Sequence, residues 1–391
     1  MPSGDNGAMR AVSCLQGELS VVDLPNPRPE YGQLLLAVRR CGICGSDLHA
    51  RVHADELHET LRLGGYDGAM SADTATVLGH EFIGEVLETG AGVRGFRPGT
   101  LVAAMPIRRV GGEGQMVGFS PHAPGGMAEQ TVAETAFSFA VPNGLDLDTA
   151  AMTEPMAVAL HAVHRSDIGR GDTAVVIGCG PVGLGIICQL KTKGVKKIVA
   201  ADFSPTRRGL AARLGAHVVV DPSEDSVYNH LGAGFVTSPQ QLWDFGIDTL
   251  DKLRRVPAWE HLYRVGDKFG AADPKRPIIF ECVGVPGMIE SIVAAAPLNT
   301  RVVVAGVCME ADRFQPALAI GKEIDLRFSF GYTPLEFRDT LHLLADGKLD
   351  VAPLITGQVG LDGVAAAFAA LADPEGHAKI LIDPASDAVA P

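Results

Sequence analysis

Short apolar runs broken by glycine and proline fill the first 155 residues of the chain: GELSVVDL, GQLLLAVRR, FIGEVLETG, TLVAAMPI and MAEQTVAE. Runs of this length, bounded by turn formers, predict strands. Their close succession predicts a mostly antiparallel, barrel-like β domain. From about Asp172 the rhythm changes. TAVVIGCG reads as a buried parallel-type strand and PVGLGIICQLKTKG as a helix ending at a glycine. KKIVAAD is a second strand, and SPTRRGLAARLGA a helix with Ser204 as N-cap and Pro205 at its first position. HVVVD, RPIIFECVG, NTRVVVAGV and EIDLRFSFG continue the strand series. Strand and helix in alternation predict a doubly wound parallel sheet, so the fold class is α/β.

Residues 223–275 interrupt that alternation. TSPQQLWDFGIDTLDKLRR has Ser238 as N-cap, Pro239 next and Gln241 three residues on, a capping-box arrangement. AWEHLYRVGDKFG predicts a second short helix. The segment reads as a helical insertion between sheet strands, with Trp243 and Trp259 expected in its core. After residue 333 come two more helices and a last strand, AKILID.

The turn GCGPVG sets Gly178, Gly180 and Gly183 in a G-x-G-x-x-G pattern, with Pro181 and Val182 between. It follows a strand and opens a helix, and Asp202 ends the next strand 19 residues after Gly183. Such a turn lets the backbone approach a pyrophosphate at a helix N-terminus. Asp202 suits two ribose hydroxyls and repels a 2′-phosphate, which favours NAD over NADP. Arg207 and Arg208 soften that preference. A glycine-rich turn without nucleotide is the plainer alternative.

Composition mainly excludes. At 391 residues the chain is too long for one ordinary core, which suggests two domains. The formal net charge of −13 argues against nucleic acid or anionic membrane partners. No apolar run of about 18 residues is free of charge and glycine, so no membrane span is expected. MPSGDNGAMRAV lacks the regions of a signal peptide and reads as a short disordered extension, folded sequence starting near Met9. Seven cysteines, an odd number, fit a reducing compartment, and a cytoplasmic location is expected.

CGICGSDLHA, residues 41–50, carries two cysteines three apart, then Ser46, Asp47 and His49. Such a pair can be a redox dithiol, half of a zinc clip or a coincidence. GHE supplies His80 and Glu81 further on, and TEP supplies Glu154. Catalytic zinc needs about three ligands from Cys, His and carboxylate plus one open position. Cys44, His80 and a glutamate meet that need. Singly, each has a bland reading: a bonded structural His, a helix-capping Glu, a small buried Cys. His161 and His164 fall on one helix and read as packing or capping groups. Cys179, Cys188, Cys282 and Cys308 read as core.

Taken in order, GICGSDLH, GHEFIGEV, EPMAVALHA and GCGPVGL resemble the zinc-dependent medium-chain alcohol dehydrogenases, closest to the sorbitol and butanediol dehydrogenase branch. The resemblance runs from Met9 to about Pro384. It implies a GroES-like catalytic domain over 9–157, completed by a return at 326–391. An NAD-binding Rossmann domain lies between them, over 158–325. It implies one catalytic zinc on Cys44 and His80, with Glu81 a ligand in some states and Glu154 bound directly or through water. Ser46 matches the hydroxyl that contacts the substrate oxygen, and His49 the outer end of a proton relay through the cofactor ribose. Ala305 and Val307 match the strand end beside the nicotinamide carboxamide. The implied activity is hydride transfer between a secondary alcohol or polyol and NAD, in a homodimer or homotetramer.

Two departures stand out. MPIRRVGGEGQMVGFSPHAPGG holds no cysteine where many relatives carry four for a structural zinc, so no second zinc is expected. The stretch between His49 and His80 is longer than usual. Two competing functions are a zinc-free quinone or enoyl reductase of the same superfamily and a non-catalytic dinucleotide-binding protein. The Cys44, His80 and Glu154 set argues against the first. Ser46 and His49 argue against the second.

Overall fold

The computed structural model describes residues 7–268 and 275–391, and its chain divides into two compact units. One comprises Met1–His161, Gly180–Thr192 and Phe330–Pro391; the other comprises Ala162–Cys179 and Lys193–Ser329. The extension expected before Met9 falls largely on residues 1–6, outside the described residues.

In the first unit the run QLLLAVRRCG forms the strand Gln33–Gly42, the centre of a seven-stranded sheet. It pairs antiparallel with Glu81–Thr89 and with Gln130–Glu134. The last strand, Lys379–Ile382, also pairs with it, setting Leu381 against Gly42 and Ile382 against Cys41. Residues from both ends of the chain thus meet beside CGIC. Leu34, Leu36, Cys41, Phe82 and Met127 fill the core on one side, with Phe368 from a helix near the C-terminus. A second sheet, of three strands, is built around Ala8–Leu15.

The helix Gly45–Val52 starts directly after CGIC, with Cys44 as its N-cap. Asp47 closes that end: its Oδ2 accepts the Cys44 N–H at 2.9 Å. The long stretch before His80 forms a further helix, Ala54–Leu63, and a short strand, Thr76–Val77.

The second unit is a six-stranded, all-parallel sheet. Its spatial order is Val218–Val220, Lys197–Ala201, Thr173–Ile177, Pro277–Glu281, Arg301–Val304, Asp325–Phe328. Order reverses after the first strand in sequence, which makes its C-terminal end the topological switch point where such sheets bind ligands. Val175, Ile279 and Val302 are fully buried, as continuous apolar strands of a parallel sheet should be. Ser204 caps the helix Pro205–Leu214 by accepting the Arg207 N–H.

The inserted segment holds two helices, Pro239–Leu253 and Trp259–Lys268. Phe269 and Gly270, expected to extend the second, lie outside the described residues. Two expectations fail here. Trp243 is not core: it is 60% exposed, because the pair of helices has no buried residue to pack it against. The capping box is half made. Ser238 accepts the Gln241 N–H, but the Gln241 carboxamide turns to the N–H and hydroxyl of Thr237.

Candidate active site

Two element ends in the first unit bring three donor side chains together. Cys44 comes from the N-cap of Gly45–Val52, and His80 and Glu81 from the start of Glu81–Thr89. One ligand atom from each lies within 4.8 Å of the others. Among the described residues Glu154 is not part of that cluster, although its charge interacts with His80 and Glu81. Glu81 fits because residue 42 is glycine. A Cβ at Gly42 would collide with the Glu81 carboxylate.

Two neighbours escaped the sequence reading. Lys379 is fully buried and donates from Nζ to both Glu81 oxygens, at 2.7 and 2.8 Å, and to the Ile43 carbonyl at 3.0 Å. Nothing near Lys379 in sequence marks it; only the pairing of the last strand with Gln33–Gly42 brings it here. Asp47, also fully buried, sets Oδ1 3.3 Å from Nδ1 of His80. Its place three residues after Cys44 is a capping position, but only the backbone geometry shows Cys44 to be an N-cap. The Phe119 ring lies against the His80 ring, centroids 4.8 Å apart.

Charge in the pocket is strongly perturbed. Burial pushes the Glu154 carboxyl up to about 7, and Glu81 adds to the rise, against the pull of His80, Tyr332 and Lys379. Burial opposes the charged form of His80, but Asp47 and then Cys44 outweigh it and hold the imidazole well above its ordinary value. Lys379 behaves alike: burial lowers it, Glu81 and Cys44 raise it further. Burial, reinforced by Glu154, lifts the Tyr332 phenol well above its usual range; its hydroxyl is buried without a hydrogen-bond partner.

Ser46 Oγ stands 3.3 Å from Nε2 of His80. His49, three residues along the same helix, is exposed to solvent. Its pKa is lowered by partial burial and by His53, whose ring centroid is 6.5 Å away.

In the second unit the strand Thr173–Ile177 ends in the glycine turn. Gly178 has φ +91°, and a Cβ there would meet the Val283 side chain at 2.8 Å. Both Asp202 oxygens are engaged: one accepts the Cys179 N–H at 2.7 Å, the other the Ser204 N–H at 2.8 Å. Arg208 is drawn away to Asp221 at 2.9 Å, while the buried Nε of Arg207 has no hydrogen-bond partner. Ala305 and the following Gly306 donate to the Glu281 carbonyl at 2.8 and 2.9 Å, and Val307 is exposed. Gly180 belongs to the first unit, where Pro181, Val182 and Gly183 open the helix Pro181–Lys193.

The remaining candidates take plainer roles. His161 Nδ1 lies 3.0 Å from the Glu336 carboxylate, a bonded structural histidine. Cys179 and Cys188 are buried. Cys308 is not core, since its strand ends at Val304 and the thiol is only half-buried.

A half-buried thiol beside a buried imidazole and carboxylate in one unit, and a doubly wound parallel sheet in the other, suit an oxidoreductase. Comparison with known proteins agrees. The model of the alcohol dehydrogenase GroES-like domain matches residues 30–143. The (R,R)-butanediol dehydrogenase of Bacillus subtilis is 29% identical over 385 residues, covering 94% of this chain and 97% of that one. Human sorbitol dehydrogenase is 26% identical over 364 residues, covering 90% and 89%. The crystal structure of the Bacillus subtilis 2R,3R-butanediol dehydrogenase superposes with a TM-score of 0.72 at 27% identity, covering 96% of this chain and 99% of that one. The matched GroES-like domain and these relatives, butanediol and sorbitol dehydrogenases, make the chain similar to the zinc-dependent medium-chain alcohol dehydrogenases and support a place in their sorbitol and butanediol branch. Among the described residues no helix is long and apolar enough to cross a membrane.

Proposed function

We propose that this protein is a zinc-dependent dehydrogenase that transfers hydride between a secondary alcohol or polyol and NAD. The convergence of Cys44, His80 and Glu81 carries the reading. The donor set fits zinc in kind. It fits in charge as well. Asp47, Glu81 and Glu154 are buried carboxyl groups beside the Cys44 thiol, and Lys379 is the buried ammonium that faces them. One ammonium facing three carboxyl groups leaves room for a further cation to compensate them.

Cys44 and His80 would hold the metal, with Glu81 or Glu154 as third ligand. Zinc supplies Lewis acidity that lowers the pKa of an alcohol hydroxyl. The chain's own residues do the rest. Asp47 faces Nδ1 of His80, which leaves Nε2 as the ligating nitrogen and fixes the ring. Lys379 pairs with the Glu81 carboxylate and offsets its charge, which preserves the acidity of the site. Ser46 Oγ would accept the hydroxyl proton as it passes its own along a relay whose solvent-exposed end is His49. The Phe119 ring walls His80 from water.

Asp202 supports NAD over NADP. Each of its oxygens accepts one backbone N–H and keeps a lone pair for a ribose hydroxyl. Arg207, with its unpartnered Nε, supports some tolerance of a 2′-phosphate. Gly178, Gly180, Pro181, Val182 and Gly183 are the proposed phosphate turn, and Ala305 and Val307 the proposed nicotinamide contacts. The relatives' substrates by name, a butanediol and sorbitol, support a vicinal diol or polyol. The odd number of cysteines supports a cytoplasmic setting.

A panel of short diols, secondary alcohols and sugar alcohols, assayed with NAD and with NADP, tests this reading. Reduction of NAD by at least one diol or secondary alcohol is expected. No reduction of either cofactor by any member would overturn it.

A further inference from the structure

Two parts of the chain supply no donor to the metal pocket: the long stretch between His49 and His80, and the cysteine-free MPIRRVGGEGQMVGFSPHAPGG. They interlock through Tyr66, just past the helix Ala54–Leu63. Its Oη accepts the Met116 N–H at 3.0 Å and donates to Oε1 of the buried Gln115 at 3.0 Å. Ser120 Oγ donates to that same Oε1 at 2.9 Å. One phenol and one carboxamide oxygen thus tie both ends of the segment 115–120 to the long stretch. Gly68 leaves the room for this, since a Cβ there would collide with the Gln115 carboxamide and the Tyr66 phenol.

Phe119 sits inside that tied segment. Its N–H donates to the Met116 carbonyl at 3.2 Å, and its own carbonyl accepts the Met70 N–H at 2.7 Å. Met70 therefore holds Phe119 directly, and Tyr66 holds it through Met116. The same segment lies hard against the backbone that carries His80. Gly118 has φ +86°, and a Cβ there would meet the Gly79 backbone at 2.9 Å. Gly118 precedes Phe119 and Gly79 precedes His80, so the two rings leave one backbone contact side by side, with centroids 4.8 Å apart. This contact matters for a metal ligand. An imidazole binds through a lone pair in its ring plane, so the tilt of that plane aims it. Asp47 faces the Nδ1 edge of His80 at 3.3 Å, and a contact at one edge leaves the tilt to packing on the face.

We propose that Tyr66 is a positioning residue for His80, acting through Phe119. Its hydroxyl pins Met116, Met116 pins the Phe119 backbone, and the Phe119 ring sets the tilt of the imidazole. Without the hydroxyl the Met116 N–H and Gln115 Oε1 lose a partner together, the segment 115–120 loosens at one end, and the Phe119 ring moves on the face of His80. The long stretch before His80 and the cysteine-free stretch then share one task, which is to hold the metal-binding histidine from the side that Asp47 does not reach.

Two measurements on the full chain test this. The first is proton–carbon NMR of the histidine rings in chelator-treated protein. The chain has 12 histidines, so the His80 signal is assigned by its loss in His80→Gln. Phe119→Leu removes the neighbouring ring current and shifts that signal; Tyr66→Phe should shift it in the same direction. Gln115→Leu breaks the same tie from the other side, should do likewise, and decides the matter if Tyr66→Phe does not fold by circular dichroism. Asp55→Ala is the control. It cuts a different tie on the same stretch, the 2.8 Å bond from the Ala72 N–H, and should leave the His80 signal in place. The second measurement is zinc affinity by chelator competition. Tyr66→Phe and Phe119→Leu should each weaken it about tenfold, the double variant no more than Phe119→Leu alone, and Asp55→Ala not at all. A Tyr66→Phe protein with the wild-type His80 signal would overturn the proposal. So would losses that add in the double variant, or an Asp55→Ala protein that loses as much as Tyr66→Phe, since Tyr66 would then be a general tie of the stretch. Only the second measurement rests on the zinc reading proposed above. A wild type that binds no zinc would contradict that reading, and the His80 signal would still decide the role of Tyr66.

Discussion

Replacing Lys379 with Met should destabilise the first unit far more than any surface change. Lys379 and Glu81 are both fully buried, and their contact is two short charge-assisted hydrogen bonds at 2.7 and 2.8 Å. Removing one partner of such a pair leaves an uncompensated buried charge and costs about 3–5 kcal/mol. That is roughly a hundredfold to a few thousandfold in the unfolding equilibrium, at about 1.4 kcal/mol per decade. The Ile43 carbonyl loses its Nζ donor at 3.0 Å as well, which adds to the loss. Removing both charges, as Lys379→Met/Glu81→Leu, takes away the pair and its desolvation cost together, so the double variant should lie closer to the wild type than Lys379→Met does. Urea unfolding of chelator-treated protein measures the three free energies without a metal contribution. Far-UV circular dichroism is the right signal, because both tryptophans, Trp243 and Trp259, sit in the inserted helices and report on them instead. A single variant within about 1 kcal/mol of the wild type would refute the reasoning. So would a double variant less stable than Lys379→Met itself.

Three further outcomes follow from the geometry. Asp47→Asn should weaken zinc binding roughly 10–100-fold, because the group that faces Nδ1 of His80 and holds the Cys44 N–H is lost; chelator competition reads this, and an unchanged affinity counts against the assigned role. Asp202→Ala should raise the KM for NAD about tenfold while lowering that for NADP, since a ribose acceptor is lost and a repelling charge removed; parallel loss with both cofactors would point to damage to the turn instead. The third concerns pH. Hydrogen bonding from Arg327, 2.6 Å away, and the charge of Arg301 hold the Asp167 carboxyl below its ordinary value. A depressed carboxyl stabilises the fold above the unfolded pKa of about 4 and loses that contribution as pH falls through the folded value. Asp167→Asn should therefore be less stable than the wild type at pH 7, with the gap closing below about pH 4; a gap that persists in acid would contradict the ionic origin.

The parallel sheet was legible because its strands are short continuous apolar runs and its helices carry local signals, such as Ser204 before Pro205. The metal-pocket candidates were legible for a similar reason: Cys44, His80 and Glu81 sit inside short motifs at strand and helix ends. Lys379 was not, because its role depends on the last strand pairing with Gln33–Gly42, a contact across most of the chain that no local pattern encodes. Asp47 was hidden differently. It sits inside the quoted motif, but its capping of Cys44 and its approach to His80 need backbone geometry to be seen. Trp243 and Cys308 misled because hydrophobic side chains read as core wherever they occur. Trp243 lies on a helix with nothing packed over it, and Cys308 lies beyond the end of its strand.

Metal content and turnover measured on the same sample of Cys44→Ser test the central claim most directly. Cys44 is the proposed thiolate ligand and is not one of the residues of the glycine turn. The variant should purify folded, hold much less than one zinc per chain, and lose nearly all reduction of NAD by the best diol found for the wild type, while NAD binding followed by calorimetry persists. Full turnover in a zinc-free Cys44→Ser protein would contradict the account.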